Sequence, residues 1–254
     1  MANQILFTPN DNNLGTVSNK VMVGKNFTGD LASFNGKVFT FNFDLLPSTV
    51  TLDGKTYTTM KIDDDDNWYV EMTCENLDWV PEGIILSPNT MNENDPVALY
   101  YNNENTPPKE NYGLLYSKDC VPIINEHLNN LGDGWKVAEI WQYNTYTVPY
   151  TYPDSEIEKK YMSSTGWLNH PNGGGTDEFG FCIYPAGCAK WDTSTNQFNF
   201  GNLGYGATFR GYENGSIKCI DYYWDENENK WDLWAHYTET KDFGSIRLIR
   251  YIHK

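Results

Sequence analysis

The sequence predicts an α+β fold of short strands, one or two helices and long ordered loops, with a small β-rich segment ahead of the main domain. Three observations predict it. Short runs near the start alternate apolar and polar residues, and a hairpin turn pair separates two of them. One stretch has helical spacing with stop signals at its end. From Thr165 onward the chain is rich in Gly and Asn, is punctuated by aromatics, and holds no long helical pattern. With 254 residues, and about 150 per domain, one large domain plus an appendage is as good a division as two domains.

The elements follow in order. Residues 1–48 are rich in Asn, Gly, Thr and Ser, and Phe39, Phe41 and Phe43 alternate with smaller or polar neighbours, a strand signal. The segment is too short for its own core, so it must pack on the rest of the chain or on another subunit. Thr49–Leu52, Asp53-Gly54 and Lys55–Ile62 read as strand, turn and strand. Asp63–Asp66 is an acidic run; oxygen ligands suit calcium, but the spacing is not that of an EF-hand, and a solvated turn is expected. Residues 81–110 carry Pro81, Pro88, Pro96, Pro107 and Pro108 and read as loops. Ser117–Asn130 reads as a helix capped by Asp119, with Pro122 in its first turn. Ile123, Ile124, His127, Leu128 and Leu131 form its stripe, and Gly132 and Gly134 end it. Further helical pieces are expected at Ala138–Asn144 and Ser155–Tyr161, and a last strand at Ser245–Ile252 with Ile246 and Leu248 turned inward.

Composition narrows the function. The net charge is −16, from 34 acidic and 18 basic residues. A nucleic-acid binder needs a basic face to displace phosphate counterions, and docking on anionic lipid needs the same. No stretch approaches the roughly 18 apolar residues of a membrane span, so no membrane insertion is expected. Residues 1–10 show neither a basic n-region nor an apolar h-region, so no signal peptide is expected. The five cysteines, Cys74, Cys120, Cys182, Cys188 and Cys219, lack the tight pairs of a zinc site. Cys182 and Cys188, with Pro185 and Gly187 between them, leave a disulfide or two free thiols open.

No catalytic signature stands out. There is no G-x-S-x-G, P-loop or dinucleotide fingerprint, and His127, His170, His236 and His253 are scattered. Gly173–Gly175 lacks the context of a phosphate cradle and reads as a flexible turn. Carboxylate pairs such as Asp177-Glu178 and Asp225-Glu226 are cheap in so acidic a chain. The expectation is a protein that is not an enzyme and uses no cofactor or metal. What the stretch 191–240 does offer is large aromatics interleaved with amides, a composition suited to binding faces. The candidate ligand-binding residues are Trp191, Tyr205, Arg210, Tyr212, Tyr222, Trp224, Trp231 and Trp234, with most of the region's aromatics expected in the core.

Residues from about 50 to 254 resemble the Fibrobacter succinogenes major paralogous domain, a family associated with the C-type-lectin-like fold. Asp53–Ile62 looks like its opening D-G-x-x-Y-x-T-V-K-I, and Trp68 with Glu75-Asn-Leu77 resembles its W-x-x-E-N-L. Tyr100-Tyr-Asn102 and Tyr112–Tyr116 look like Y-Y-N and Y-G-x-L-Y, and Gly134–Val137 is similar to G-W-x-(L/V). Gly175–Phe181 through Gly187 resembles G-x-D-x-x-G-F…P-x-G, and Gly244–Arg250 looks like the closing strand. The resemblance implies a C-type-lectin-like domain at 49–254 and a docking or oligomerisation segment at 1–48. Cysteines that the family joins fall here at Leu131 and Leu248, which implies an apolar contact in place of a disulfide and folding in a reducing compartment. The calcium-site motifs of the wider fold are missing, and the cysteines do not match the reactive pair of the formylglycine-generating enzymes. By analogy with ligand-displaying proteins in phages of gut Bacteroidota, the resemblance implies a virion protein, a head or tail fibre or decoration, that folds in the host cytoplasm. Its partners would be other virion proteins through 1–48 and a host-surface glycan or protein, with homo-oligomers expected. The alternative is a bacterial cell-surface or secreted binding protein of the same family.

Overall fold

The computed structural model describes residues 32–34, 37–39, 49–63, 67–146, 159–168, 174–178, 180–213, 216–225, 230–236 and 242–253. In chain order, β1 (Ala32–Phe34) and β2 (Lys37–Phe39) form an antiparallel pair. β3 (Thr49–Leu52), β4 (Lys55–Asp63) and β5 (Trp68–Thr73) pair antiparallel in sequence. β6 (Ile85–Leu86), β7 (Val97–Leu99) and β8 (Leu115–Tyr116) make a small sheet. Then come α1 (Cys120–Leu131), β9 (Lys136–Val137) and α2 (Ile140–Tyr146). β10 (Ala186–Asp192), β11 (Gln197–Leu203), β12 (Gly206–Glu213), β13 (Ser216–Asp225) and β14 (Lys230–His236) form the long sheet, in the order β11-β10-β12-β13-β14. β15 (Asp242–Phe243) pairs with β10, and β16 (Leu248–His253) lies between β5 and β9. The architecture is α+β and mostly sheet, and among the described residues no helix is long and apolar enough to cross a membrane.

The local signals explain the elements. Asp53 (φ 48°) and Gly54 (φ 83°) both take the left-handed conformation that a two-residue hairpin turn requires, so β3 and β4 pair in tight register. α2 starts at Ile140, just after Glu139, and not at Ala138, whose N–H is held by the Arg247 carbonyl. The Gln142 side chain reaches back to accept the Glu139 N–H at 2.7 Å, one arm of a capping box. β16 begins at Leu248 and not at Ser245, because Ser245 bridges to Phe209 and the Ile246 carbonyl accepts from Leu77. Ile246 and Leu248 are buried as expected.

α1 shows what burial selects. Cys120, Val121, Ile124 and Leu128 face the core, each full-size aliphatic contributing roughly 1.5–3 kcal/mol of burial. Pro122 occupies the first turn, where its missing N–H costs nothing, and Gly132 caps the end at φ 78°. Two expectations are corrected here. Asp119 precedes the helix but its side chain makes no cap bond, since its own backbone is already helical (φ −72°, ψ −10°). Leu131 is 51% exposed and lies outside the core cluster that contains Leu248. Leu128, one turn earlier, fills that cluster. The expected Leu131–Leu248 contact in place of a disulfide is therefore absent, and the compartment argument built on it goes with it.

The described core has three parts. One lies between the β4–β5–β16 sheet, α2 and the β12–β13 pair, the second beneath α1, and the third between β10–β11 and β7–β8. The β5–β16 pairing is tied by the fully buried Glu71, which takes 2.7 Å contacts from Arg250 and a 2.5 Å bond from Thr59. Gly174 and Gly175 are not a flexible turn: an added Cβ at either would strike the backbone of residues 159–164, and Gly175 donates to the Ser163 carbonyl at 2.8 Å. Phe41, Phe43, Asp64–Asp66, Gly173 and the helical piece at residues 155–158 lie outside the described residues, as does most of segment 1–48.

Candidate functional site

The long sheet separates the expected aromatic face into unlike parts. Trp191 is buried 4.6 Å from Phe198, and Tyr222 packs edge-on to Phe209 at 5.7 Å. Arg210 is also fully buried, within electrostatic reach of Asp119 and Cys120 at the start of α1. These three hold the fold and present nothing to solvent: the two rings gain by being covered, and the Arg210 guanidinium is carried inside with them at a desolvation cost. Tyr205 (50% exposed) and Tyr212 (40%) do face solvent. They stand just before and near the end of β12, however, about 23 Å apart at strand rise, too far to share one small ligand. The side chains of Trp224, Trp231 and Trp234 lie outside the described residues. The register sets Trp224 opposite Trp231, and Trp234 opposite Asp221.

One face of β10–β13 gathers polar groups around Tyr205. The chain leaves β11 and crosses the start of β10 to reach β12, which runs parallel to β10. The crossing is tight: Asn202 (φ 62°) and Gly204 (φ 80°) are left-handed, and Tyr205 N–H bonds the Asn202 carbonyl at 2.9 Å. Gly204 is pinned between the Pro185 carbonyl, to which it donates at 2.9 Å, and Leu168, whose N–H reaches the Gly204 carbonyl at 2.7 Å. Leu168 itself is 68% exposed beside the turn. A rigid turn thus holds Tyr205 and Leu168 out together.

Next to the turn, Gly206 leaves a floor with no side chain. A Cβ there would sit 3.5 Å from the Asn202 Cβ and 3.9 Å from the Tyr223 Cβ. One row further, Thr208 Oγ1 donates to Asp221 Oδ1 at 2.6 Å. The Asn202 amide reaches the Cys188 Sγ at 3.8 Å, and Lys190 meets Asp242 at 3.8 Å. Burial, then the charge of Asp221, pushes the Cys188 thiol up to about 11, so it is neutral and a weak donor. Asn202 is exposed, while Cys188 and Asp221 are only partly so. The strip therefore joins an amide, a thiol, a hydroxyl and a carboxylate with tyrosines at its edge.

Thr208 and Asp221 escaped the sequence reading, as did the role of Gly206. The signal was present: Gly206, Thr208 and Asp221, Tyr223 alternate with Ala207, Phe209 and Ile220, Tyr222, so the non-core positions of two paired strands align in register.

A second polar cluster is built around Arg247, also missed. This fully buried guanidinium donates from Nε to Asn76 Oδ1 (2.8 Å) and from Nη1 to the Thr73 and Phe181 carbonyls (2.9 and 3.0 Å). Its Nη2 donates to the Cys182 carbonyl (2.7 Å). It lies 4.9 and 5.4 Å from the Phe181 and Phe209 rings. Beside it, Cys182 donates its N–H and Sγ–H to Asp177 at 2.9 and 2.8 Å. Burial and then the Asp177 charge push that thiol up to about 12. A thiol so protonated is a poor nucleophile, and the cluster acts as a tie between segments far apart in sequence. None of the five cysteines is in a disulfide, and no group of three or more His, Cys, Asp or Glu among the described residues is placed to hold a metal ion. No family model matches the chain, and no curated protein and no solved structure matches it.

Proposed function

We propose that this chain is a non-enzymatic recognition protein of a virion, a head or tail fibre or decoration. In this reading, residues 49–254 form a C-type-lectin-like domain displayed toward glycans or proteins of the host surface, and residues 1–48 dock it on other virion proteins. The observation that carries the recognition role is the exposed Tyr205, fixed by a rigid turn beside the Asn202–Gly206–Tyr223 floor and the Thr208–Asp221 pair. Aromatic faces and convergent hydrogen-bonding groups on a rigid scaffold suit a polar ligand better than they suit chemistry. The buried Cys120 thiol donates to the Val97 carbonyl at 3.2 Å, a role open only to the reduced form, which accords with folding in the host cytoplasm. Many copies on one particle would raise avidity without tight single sites. The lectin-like assignment itself rests on the motif order across residues 50–254.

The test is binding of the purified full chain to intact host cells, beside a Tyr205→Ala variant and a 49–254 fragment offered to assembling particles. The reading expects retention on cells, loss with Tyr205→Ala, and failure of the fragment to enter particles. A full chain that host cells do not retain, or a fragment that assembles normally, contradicts it.

A further inference from the structure

We infer that β11 is an interface strand: its outer edge pairs antiparallel with the β11 edge of a second copy of this chain, with Asn199 on the two-fold axis. The inference stands apart from the recognition reading above. β11 ends the long sheet, with β10 on one side and, among the described residues, no strand on the other. Gln197–Gly201 makes no hydrogen bond among the described residues beyond its ladder with β10. An edge strand offers a row of N–H and C=O groups, and a chain that must stay single guards that row with charge, proline or a short length. β14, at the opposite end of the sheet, carries Lys230, Asp232 and His236. β11 is seven residues long, Gln197-Phe-Asn-Phe-Gly-Asn-Leu203, with no charge and no proline. In a chain of net charge −16, such a strand is where two like-charged copies can approach.

The side chains fit a copy of themselves. Asn196 (φ 52°) and Asn202 (φ 62°) are left-handed, so the regular extended part is Gln197–Gly201, with Asn199 in its middle. Antiparallel pairing about Asn199 sets Phe198 opposite Phe200 of the second copy, twice, and Gln197 opposite Gly201. Phe198 packs on Trp191 at 4.6 Å and on Phe243 at 5.6 Å, and Phe200 on Tyr101 at 5.2 Å, yet both rings are only partly buried. The pairing lays each against a further aromatic ring and joins two copies of the core between β10–β11 and β7–β8. A Cβ added at Gly201 meets nothing within 4 Å, which leaves room for the Gln197 side chain of the second copy. The exposed Asn199 meets its own counterpart, one uncharged amide against another. A register shifted by one residue would set the rings opposite amides, on the wrong face. Both copies use the same edge, so the contact closes at two chains and does not grow into a fibre.

The experiment follows the mass of the full chain by sedimentation velocity over a dilution series at physiological salt. One strand pair is a small contact, so the wild type should pass from dimer to monomer in the micromolar range. Asn199→Lys sets like charges directly opposite each other and should raise the dissociation constant at least roughly tenfold, with urea unfolding of the monomer unchanged because the side chain is exposed. In a second measurement, copper–phenanthroline in air should cross-link Asn199→Cys chains into disulfide dimers, since residue 199 meets itself. It should leave Gln197→Cys chains no more cross-linked than wild type, since those two positions lie about 14 Å apart along the strands. A wild type that stays single throughout overturns the inference and leaves the edge to a strand of another protein. Association that Asn199→Lys does not weaken also overturns it and moves the contact elsewhere, residues 1–48 included. Cross-linking no greater at Asn199→Cys than at Gln197→Cys overturns it too. Should Asn199→Lys fail to fold, the cysteine pair decides. Retention on host cells, which tests the recognition reading, is read separately from all of these.

Discussion

Replacing Arg247 with methionine keeps an unbranched apolar stem and removes the guanidinium. Four buried oxygens, those of Thr73, Phe181, Cys182 and the Asn76 amide, then lose a donor. Each unsatisfied buried acceptor costs about 1–3 kcal/mol, so the loss is about 4 kcal/mol at the low end. The contacts with the Phe181 and Phe209 rings add about 1 kcal/mol or more. A domain is stable by only about 5–15 kcal/mol, so this one change removes much of the margin. Lysine at the same place keeps the charge but cannot span all four acceptors, and its cost should fall between wild type and methionine. The assay is urea unfolding at 25 °C followed by tryptophan fluorescence, with all three proteins at one concentration. The account expects Arg247→Met either to lose about 4 kcal/mol or more or to yield no folded protein. A loss below about 2 kcal/mol, or a lysine variant as damaged as the methionine one, refutes the idea that this side chain ties β16 to residues 73–76 and 181–182.

Three further outcomes are expected. Leu128→Ala should cost about 2–5 kcal/mol and Leu131→Ser less than about 0.5 kcal/mol in the same assay, since only the first is in the core. At pH 8, iodoacetamide should modify Cys182 and Cys188 at least about a hundredfold more slowly than a free thiol, as read by peptide mass spectrometry, because both are held protonated. Burial raises the Asp177 carboxyl, so the folded state favours its neutral form, and its contribution to stability is full in acid and declines as pH rises through the folded value. Asp177→Asn should accordingly be more stable relative to wild type at pH 7 than at pH 3, measured by urea unfolding at both; a larger advantage at pH 3 contradicts that sign.

Much of the fold was legible because local signals and burial agreed. Asp53-Gly54 is a turn pair wherever strands flank it, and Pro122 and Gly132 bracket α1 by their backbone preferences alone. The candidate site was legible only in part, since aromatic content says nothing about which side of a strand faces the core. Trp191 and Tyr222 went inside and Tyr205 outside, a distinction made by strand pairing across distant segments. Arg247 looked like a charged residue of a last strand, yet its partners come from residues 73–76 and 181–182, more than sixty positions away. Leu131 fits the apolar spacing of α1 but falls at its frayed end, where the helix turns off the core.

Amide chemical shifts of the isotope-labelled full chain, recorded while glycans and proteins released from the host surface are added, bear most directly on where a ligand docks. The account predicts saturable shifts at Asn202, Tyr205, Gly206, Thr208, Asp221 and Tyr223, with Tyr212 and α1 unmoved. Shifts centred on Tyr212 or α1, or no shift anywhere at saturation, would contradict it.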